Sequence, residues 1–327
     1  MRDFKWFRLS AMLLFAAVAF SCNKDEEEDT GLYMSGSLTA NIPSHVIKGQ
    51  ELTFTASGIT NPTDSLTYKW VTEHFSVDSI FGISVTLNAP DSLGDYTVSL
   101  YVKHPRYSNK YLTFPMTVID PASAESFSGV VKGDKFITDA RDGRKYYYST
   151  IGNYDWMVEN LNWKGSGKPY KNVPALGEVY GRLYSYNDAK TACPEGWELP
   201  SNDAWSNLAT VANGGIPVLF DNIWTGIGSK LTVNAKLNSE GIWKYSPVNK
   251  QLNYFNWNAL PGGNVLGNYR SYINMGQYGA WWSATEKDSN NAYYRYIYFD
   301  SADFPYNYTD KNNFGASVRC VRTSAGI

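Results

Sequence analysis

The sequence predicts two folded regions in series, an all-β antiparallel sandwich followed by an α+β domain that is rich in loops. The chain has 327 residues, which is enough for about two domains. Between residues 33 and 120, short runs alternate apolar and polar side chains. After residue 127, one segment has clear helical periodicity and long stretches rich in Gly and Asn separate strand-like runs. Apolar residues make up 43% of the chain, so both regions can bury a core.

The overall charge argues against nucleic acid as the main partner. The formal net charge is −2, and the chain contains no long block of Lys and Arg. The unusual feature of the composition is its aromatic content of 16%, with 25 Tyr and 11 Trp.

Residues 1–21 are expected to be a signal peptide. Arg2, Lys5 and Arg8 give a positive start, and residues 9–20 form an apolar run that is too short to span a bilayer as a mature helix. No later segment is apolar for long enough to be a transmembrane helix.

The end of this segment, Ala19-Phe20-Ser21-Cys22, resembles a bacterial lipobox, although Phe at its second position is less common. The resemblance implies a lipid on Cys22 that holds the mature chain on the outer membrane. Residues 22–32 form an acidic tether that cannot bury its charges. Its charge run resembles the export signal of Bacteroidota surface lipoproteins, which implies an outward-facing protein. The alternatives are an ordinary secretory signal with an incidental Cys and a plain charged linker.

Residues 33–120 predict the sandwich. Five runs have strand character, and Gly, Pro, Asn and Asp separate them. They cover residues 52–56, 66–71, 83–87, 96–102 and 112–118. The chain then has linker composition at residues 121–126.

Three segments of the sandwich resemble the Ig-like and PKD-like modules of bacterial surface proteins. Residues 52–58 resemble their second strand, Tyr68-Lys69-Trp70 resembles the strand with the core Trp, and residues 91–98 resemble the Asp-x-Gly-x-Tyr corner with one residue inserted. The resemblance implies an Ig-like fold but no particular function. All three His residues (His45, His74 and His104) lie here, isolated, and are expected to be surface or hydrogen-bonded residues.

Residues 127–327 predict the second domain. Asp142-Gly143 separates two runs that can pair as a hairpin, at residues 135–140 and 145–150. Residues 184–191 are a candidate short helix. Ser201 is a credible N-cap for a better one, in which Trp205, Leu208, Ala209 and Ala212 share a face. Strand-like runs return at residues 280–283, 292–299 and 316–322.

Several motifs in this region resemble the Fibrobacter succinogenes major paralogous domain. They are Trp156-Met157-x-Glu159-Asn160-Leu161, Gly181-Arg182-Leu183-Tyr184, Cys193-Pro194-x-Gly196-Trp197-x-Leu199-Pro200-Ser201, Trp281-Trp282-Ser283-Ala284-Thr285-Glu286 and Val318-Arg319-Cys320-Val321. That family occurs in exported and surface proteins and has no single activity. The layout also resembles C-type-lectin-like domains, which implies a C-type-lectin-like fold for residues 127–327.

Cys193 and Cys320 are the two cysteines left once Cys22 carries lipid. In an oxidising compartment such a pair is expected to form a disulfide, with two buried thiols as the alternative. C-type lectins join a Cys near the first helix to one in the last strand, so the resemblance implies the same bond.

The second domain shows no catalytic motif. It contains no His, which excludes Ser-His-Asp and Cys-His catalysis and His-ligated zinc. Its carboxylates could hydrolyse a glycoside, but no spacing singles out a pair. We therefore expect no enzyme and no cofactor. Calcium stays a weak alternative, with Asp300, Asp303 and Asp310 as its candidate ligands.

Aromatic residues are the better functional signal. Nine of the 11 Trp lie in 127–327, and an amphipathic ring beside Asn and Tyr suits a sugar or a protein hot spot. We expect a binding face within residues 213–280, and the competing interpretation is that these Trp attach long loops to the core. The candidate residues are Trp224, Trp243, Trp257, Asn264, Asn268 and Tyr269.

The expected function is non-catalytic binding or adhesion, to a glycan or to a surface protein, by a lipid-anchored protein on the cell surface. One alternative is a structural or assembly component of a surface complex or appendage. The other is an enzyme that acts on polysaccharide with a pair of carboxylates.

Overall fold

A computed structural model describes residues 31–221 and 223–325. The signal peptide, Cys22 and most of the acidic tether lie outside the described residues. The structure is mostly β-sheet, with 39% strand and 11% helix, which confirms the β-rich character of the fold. Of the helices in the described ranges, none combines the length and apolarity needed to cross a membrane.

Between residues 31 and 120, eight strands form two sheets. One sheet has three antiparallel strands in the order β1-β3-β6, and the other has five in the order β2-β8-β7-β4-β5, with β2 parallel to β8. The strands are β1 (Thr39–Ala40), β2 (His45–Ile47), β3 (Glu51–Ser57), β4 (Thr67–Val71), β5 (Ser79–Phe81), β6 (Ser84–Asn88), β7 (Gly94–His104) and β8 (Tyr107–Ile119).

The side chains between these two sheets come from alternate positions, as the sequence pattern predicts. In β3 every second residue is buried, so Phe54 reaches Trp70 of the other sheet with 5.8 Å between ring centroids. Trp70 is fully buried, and its Nε1 donates to the Gly82 carbonyl at 2.9 Å. At the start of β7 the Tyr96 hydroxyl donates back to the Ser92 carbonyl at 3.0 Å.

The rest of the chain forms further strands and four short helices. The strands are β9 (Phe127–Ser128), β10 (Phe136–Thr138), β11 (Lys145–Ile151), β12 (Tyr154–Met157), β13 (Leu183–Ser185), β14 (Lys236–Leu237), β15 (Glu240–Gly241), β16 (Asn264–Leu266), β17 (Ser271–Ile273), β18 (Tyr278–Glu286), β19 (Asn291–Tyr298), β20 (Tyr306–Asp310), β21 (Phe314–Ser317) and β22 (Val321–Thr323). The helices are α1 (Pro174–Tyr180), α2 (Tyr186–Ala192), α3 (Asn202–Ala212) and α4 (Ile227–Leu231), and a 3-10 turn covers Tyr170–Asn172.

These strands form three sheets. The largest runs β17-β16-β21-β18-β19-β20, with β13 also paired to β21. A second sheet has the order β10-β11-β12-β22, and a small one has the order β15-β14-β9. Helix α3 begins as predicted, because the Ser201 hydroxyl accepts from the Ala204 amide at 3.2 Å, and its apolar side is buried. The single strand expected at 316–322 is wrong, since β21 and β22 belong to different sheets.

A disulfide joins Cys193, directly after α2, to Cys320, directly before β22. The two residues are 127 positions apart, and Cys320 is fully buried. The predicted disulfide is therefore confirmed.

The two halves of the chain meet at an ordered junction. Ile119, the last residue of β8, is fully buried in the core of the second half. The Asn238 amide nitrogen Nδ2 donates to the Val118 carbonyl at 2.7 Å, and its Oδ1 accepts from the Ser126 hydroxyl at 2.6 Å. The Asn238 side chain thus fixes residues at both ends of the turn at 121–126, through its bonds to Val118 and Ser126.

Candidate functional site

The structure places the three candidate tryptophans in the core. Trp224, Trp243 and Trp257 are 2%, 4% and 0% exposed. Nε1 of Trp224 donates to the Leu219 carbonyl at 2.8 Å, and that of Trp243 to the Ala259 carbonyl at 3.0 Å. These rings have no free face to offer a ligand. The structure therefore corrects the expectation of a tryptophan face and supports the competing interpretation, in which the rings attach long loops to the core.

The surroundings of the Trp257 ring show why these tryptophans are buried. It packs against Trp281 at 5.0 Å, Trp205 at 5.9 Å and Trp156 at 6.2 Å between centroids. Because this part of the chain has few helices, loops cover much of its core. A large aromatic side chain suits such a loop, since a single residue then buries a large apolar area.

The other three candidates have different environments. Asn264 is buried, and its Oδ1 accepts from Nδ2 of Asn274 at 3.0 Å. The Tyr269 hydroxyl accepts from the Ser185 amide at 3.0 Å and lies 3.2 Å from the Leu183 carbonyl. Asn268 is exposed.

Asn268 and Tyr269 share one small depression, which they line together with Ser185, Val265, Asn312, Phe314 and Gly315. Its volume is about 10 Å³, room for roughly one water molecule. The structure thus brings Asn268 and Tyr269 together and leaves the three tryptophans elsewhere.

Next to this depression lies a surface that sequence reasoning missed, which we call the tyrosine face: Tyr278, Tyr294, Tyr296 and Tyr298. In β19 the last three alternate along the strand, so their side chains share one side of the sheet. The β18–β19 register places Tyr278 opposite Tyr298. Ring centroids are 5.8 Å apart for Tyr294 and Tyr296, 5.3 Å for Tyr278 and Tyr296, and 5.0 Å for Tyr278 and Tyr298.

The tyrosine face is covered at one end and open at the other. At the covered end, Tyr186 of α2 packs on Trp282 with 5.3 Å between centroids, and Phe314 packs on Tyr294 at 4.8 Å. Exposure rises along β19, from 8% for Tyr294 to 37% for Tyr298. The rings of Tyr278 and Tyr294 are therefore held in the packed end, and those of Tyr296 and Tyr298 are the accessible part of the face.

Polar groups lie beside the rings of the tyrosine face. The hydroxyls of Tyr278 and Tyr294 are close enough to influence each other electrostatically, and Asn307 lies directly opposite Tyr294 in the β19–β20 pair. Burial raises the pKa of both tyrosines. At neutral pH these groups stay protonated, so they can both donate and accept hydrogen bonds.

The opposite side of β19 fixes the strand. Arg295 is buried, its guanidinium lies over the Trp224 ring at 3.1 Å from the centroid, and it donates to the Phe220 carbonyl at 2.6 Å and the Phe304 carbonyl at 3.2 Å. A packed cation on one side gives the tyrosines on the other a rigid support.

The calcium candidates do not form a cluster. Asp303 accepts from the Gly226 amide at 2.9 Å, Asp310 accepts from the Asn312 amide at 2.7 Å, and Asp300 is exposed in a turn. Within residues 31–221 and 223–325, no three His, Cys, Asp or Glu side chains come together as a metal site. The structure corrects the expectation for these three residues.

Five other carboxylates among the described residues pair with basic side chains, and one of them is Glu159, which lies 3.6 Å from Lys132. Asp139 pairs with Arg141 at 2.7 Å, Glu178 with Arg144 at 2.6 Å and Asp155 with Arg322 at 3.0 Å, and Glu286 contacts both Lys190 and Lys311. Burial alone would raise the pKa of Asp139, but the hydrogen bonds and charge of Arg141 lower it below its usual value. The Asp139–Arg141 pair lies within one turn, and the other pairs connect different elements of the fold.

Comparison with known proteins gives one family. The family model described as Fibrobacter succinogenes major domain matches residues 150–322, just over half of the chain. This range contains the tyrosine face and both cysteines of the disulfide. No curated protein matches the chain.

Proposed function

The chain belongs to the Fibrobacter succinogenes major domain family, and from this premise we propose that it is a cell-surface lipoprotein with a non-catalytic binding role. The ligand we propose is a neutral glycan, and its site is the tyrosine face. The alternation of Tyr294, Tyr296 and Tyr298 beside Tyr278 is the observation that carries this proposal.

The chemistry of the tyrosine face suits a sugar. A pyranose ring presents C–H groups on its faces and hydroxyls at its rim, so it needs aromatic faces with hydrogen-bonding groups beside them. Tyr296 and Tyr298 supply accessible rings, and the hydroxyls of Tyr278 and Tyr294 with the Asn307 amide supply polar groups. No carboxylate is among these groups, which favours a neutral ligand.

Two features support binding without catalysis. Residues 127–327 contain no His, and Asp139, Asp155 and Glu178 are each paired with an arginine. A glycosidase needs two carboxyl groups facing one bond. The tyrosine face itself contains no carboxyl group.

The finer fold assignments are also part of the proposal. An Ig-like sandwich for residues 33–120 is supported by buried Trp70 and by the Tyr96 hydroxyl bonded to the backbone upstream, an arrangement known in Ig domains as the tyrosine corner. A C-type-lectin-like fold for residues 127–327 is supported by the Cys193–Cys320 bond between the first helical region and the last strands.

The proposed location rests on the sequence. Cys22 at the end of the lipobox-like segment would carry the lipid, and the acidic tether would hold the folded part away from the outer membrane. Protease treatment of intact cells tests the orientation, because an outward-facing protein would be cleaved and a periplasmic one would survive.

A glycan array with the purified protein, run with calcium and again with chelator, tests the proposal. We expect saturable binding to a neutral glycan that chelator leaves unchanged. The double variant Tyr296→Ala/Tyr298→Ala should lose the signal. The control Tyr254→Ala removes an equally large side chain that is 63% exposed and outside the tyrosine face, and it should bind like wild type. Equal binding by the double variant would place the site elsewhere.

A structural or assembly role is the second candidate function. The ordered junction favours it, because Ile119 in the core and the bonds of Asn238 would keep the two halves of the chain at a fixed angle. A negative array with folded protein would favour this role, and a pull-down from the cell envelope would then look for the partner.

A further inference from the structure

The outer face of the five-stranded sheet contains four large side chains in one line, which we call the cross-strand row: Tyr111, Tyr101, Lys69 and Phe81. Tyr101 lies directly opposite Tyr111 in the β7–β8 pair. Lys69 lies directly opposite Tyr101 in the β4–β7 pair and opposite Phe81 in the β4–β5 pair. The row therefore crosses four adjacent strands at right angles.

The members of the cross-strand row contact each other and not the core. The rings of Tyr101 and Tyr111 stack with centroids 5.1 Å apart at 30°, and the Lys69 ammonium lies 5.9 Å from the Phe81 centroid. Their inward neighbours Trp70 and Leu100 fill the core. Phe81 is 63% and Tyr111 is 56% exposed, although each could have been a small polar residue at no cost to the core.

The dimensions of the row suit a chain molecule. Three strand spacings give about 14 Å from Tyr111 to Phe81, which is comparable with a trisaccharide. An open cleft of about 550 Å³ continues from Phe81 and is lined also by Thr67 and Ile83. A ligand lying along the row could extend into that cleft.

The charged side chains of this sheet face indicate which kind of ligand it would bind. The four strands β4, β5, β7 and β8, all of them described, place Lys69 and Lys103 on this face together with a single carboxylate, Asp95. Asp95 lies six residues from Tyr101 along β7, about 20 Å away, and its Oδ1 accepts from the Thr117 hydroxyl. The strand face that presents the row therefore has a small positive balance, and the nearest acidic residues, Asp64 and Asp78, lie in the adjoining turns.

We propose that the cross-strand row is a second carbohydrate site, which binds an acidic polysaccharide containing uronate or sulfate groups. Tyr111, Tyr101 and Phe81 stack on the faces of successive sugar rings. The Lys69 ammonium, between the rings of Tyr101 and Phe81, pairs with the acidic group of the central sugar. The occupant is a polyanion because the Lys69 ammonium, which forms no ion pair within residues 31–221 and 223–325, attracts negative charge to a line of aromatic rings.

This site is independent of the tyrosine face, which lies in the second half of the chain and is proposed for neutral glycans. Isothermal titration of the purified protein with polygalacturonate, alginate and chondroitin sulfate tests it. Methyl-esterified polygalacturonate is the matched neutral probe. We expect saturable binding to at least one acidic probe and at least tenfold weaker binding to the ester.

Three variants locate the binding. Phe81→Ala and Tyr111→Ala should each weaken binding at least tenfold, because each removes an exposed stacking ring and leaves the core intact. Lys69→Gln should remove the preference for the acidic probe over its ester and reduce the dependence of affinity on salt. Tyr254→Ala is the control and should bind like wild type, and circular dichroism of each variant should match the native spectrum.

Three results would overturn the proposal. One is the absence of saturable binding to all three acidic probes. Another is unchanged affinity in Phe81→Ala and Tyr111→Ala. The third is self-association in sedimentation equilibrium that Phe81→Ala abolishes, which would make the row a contact between two copies of the chain.

Discussion

At the scale of single residues, Arg319 connects several segments of the second half. It is fully buried, and it donates to the carbonyls of Met157, Trp257 and Asn258 and to Oδ1 of Asn160. Its guanidinium also lies over the Trp257 ring at 4.2 Å from the centroid. One residue thus joins its own segment to two others, residues 157–160 and 257–258.

Arg319→Met should strongly destabilise the fold. The methionine fills part of the volume but leaves several buried carbonyls without a donor, which should lower the free energy of unfolding by about 3 kcal/mol or more. Urea unfolding followed by tryptophan fluorescence measures this. Arg270→Met, at an exposed position, should change stability by less than about 0.5 kcal/mol. Comparable stability of the two variants would contradict the role assigned to Arg319.

The residue scale is also where prediction from the sequence is weakest. A tryptophan is amphipathic, and its surroundings in the sequence do not say on which side of a loop it points. Trp257 is buried because Trp156, about a hundred positions earlier, and Trp281 lie around it. The tyrosine face was accessible to prediction, since Tyr294, Tyr296 and Tyr298 alternate within a run that was recognised as a strand.

At the scale of elements, periodic segments were predictable and the loop-rich stretch was not. The five runs of the sandwich each fall in a strand, and α3 begins at its predicted cap. Residues 213–280 show neither the helical nor the strand periodicity of apolar side chains. Their conformation is determined by hydrogen bonds to residues that are distant in the sequence. Nδ2 of Asn258 donates to the carbonyls of Val131 and Val158, at 2.8 and 3.0 Å. The residues next to Asn258 in the sequence do not indicate that these would be its partners.

Buried tyrosines limit the stability of the fold at alkaline pH. Burial raises the pKa of Tyr278, Tyr180 and Tyr184 above the usual value of about 10. Above pH 10 the unfolded chain loses protons that the folded chain keeps. The contribution of these buried tyrosines to the free energy of unfolding is therefore fully present below pH 10 and is lost as the pH rises further.

Absorbance at 295 nm and far-UV circular dichroism, recorded together from pH 9 upward, check this. Exposed tyrosines should ionise near pH 10 with the fold intact, and the buried ones should ionise only together with unfolding. Ionisation of all tyrosines in one step, with the spectrum of the folded state unchanged, would contradict it.

The disulfide links two elements across a long loop. In the chain-entropy model, a closed loop of more than a hundred residues stabilises the folded state by about 4–5 kcal/mol. Cys193→Ala/Cys320→Ala should therefore unfold at clearly lower urea concentration than wild type. Reductant should shift wild type toward the variant and leave the variant unaffected. A transition that is insensitive to both changes would contradict a stabilising bond.

At the scale of the whole molecule, the junction determines whether the two halves move together. Asn238→Ala removes the bonds to Val118 and Ser126, at a cost of about 1–3 kcal/mol. It should also increase proteolytic cleavage within residues 121–126, as measured by limited proteolysis and mass spectrometry. Asn290→Ala, at an exposed position, is the control. Unchanged cleavage in Asn238→Ala would mean that these bonds do not fix the junction.

The molecule as a whole presents two aromatic surfaces of different character. The tyrosine face is neutral and lies in the family domain, whereas the cross-strand row is basic and lies on the sandwich. A fixed junction would let a single chain hold two kinds of polysaccharide at once, which is a suitable arrangement for adhesion.

Binding of a glycan by the tyrosine face can be tested with a single measurement. It is the dissociation constant for a neutral glycan, determined by isothermal titration in calcium-free buffer for wild type and for Tyr296→Ala/Tyr298→Ala. We expect saturable binding by wild type and an affinity at least tenfold lower in the variant, with native stability in both. Equal dissociation constants for the two proteins would contradict it.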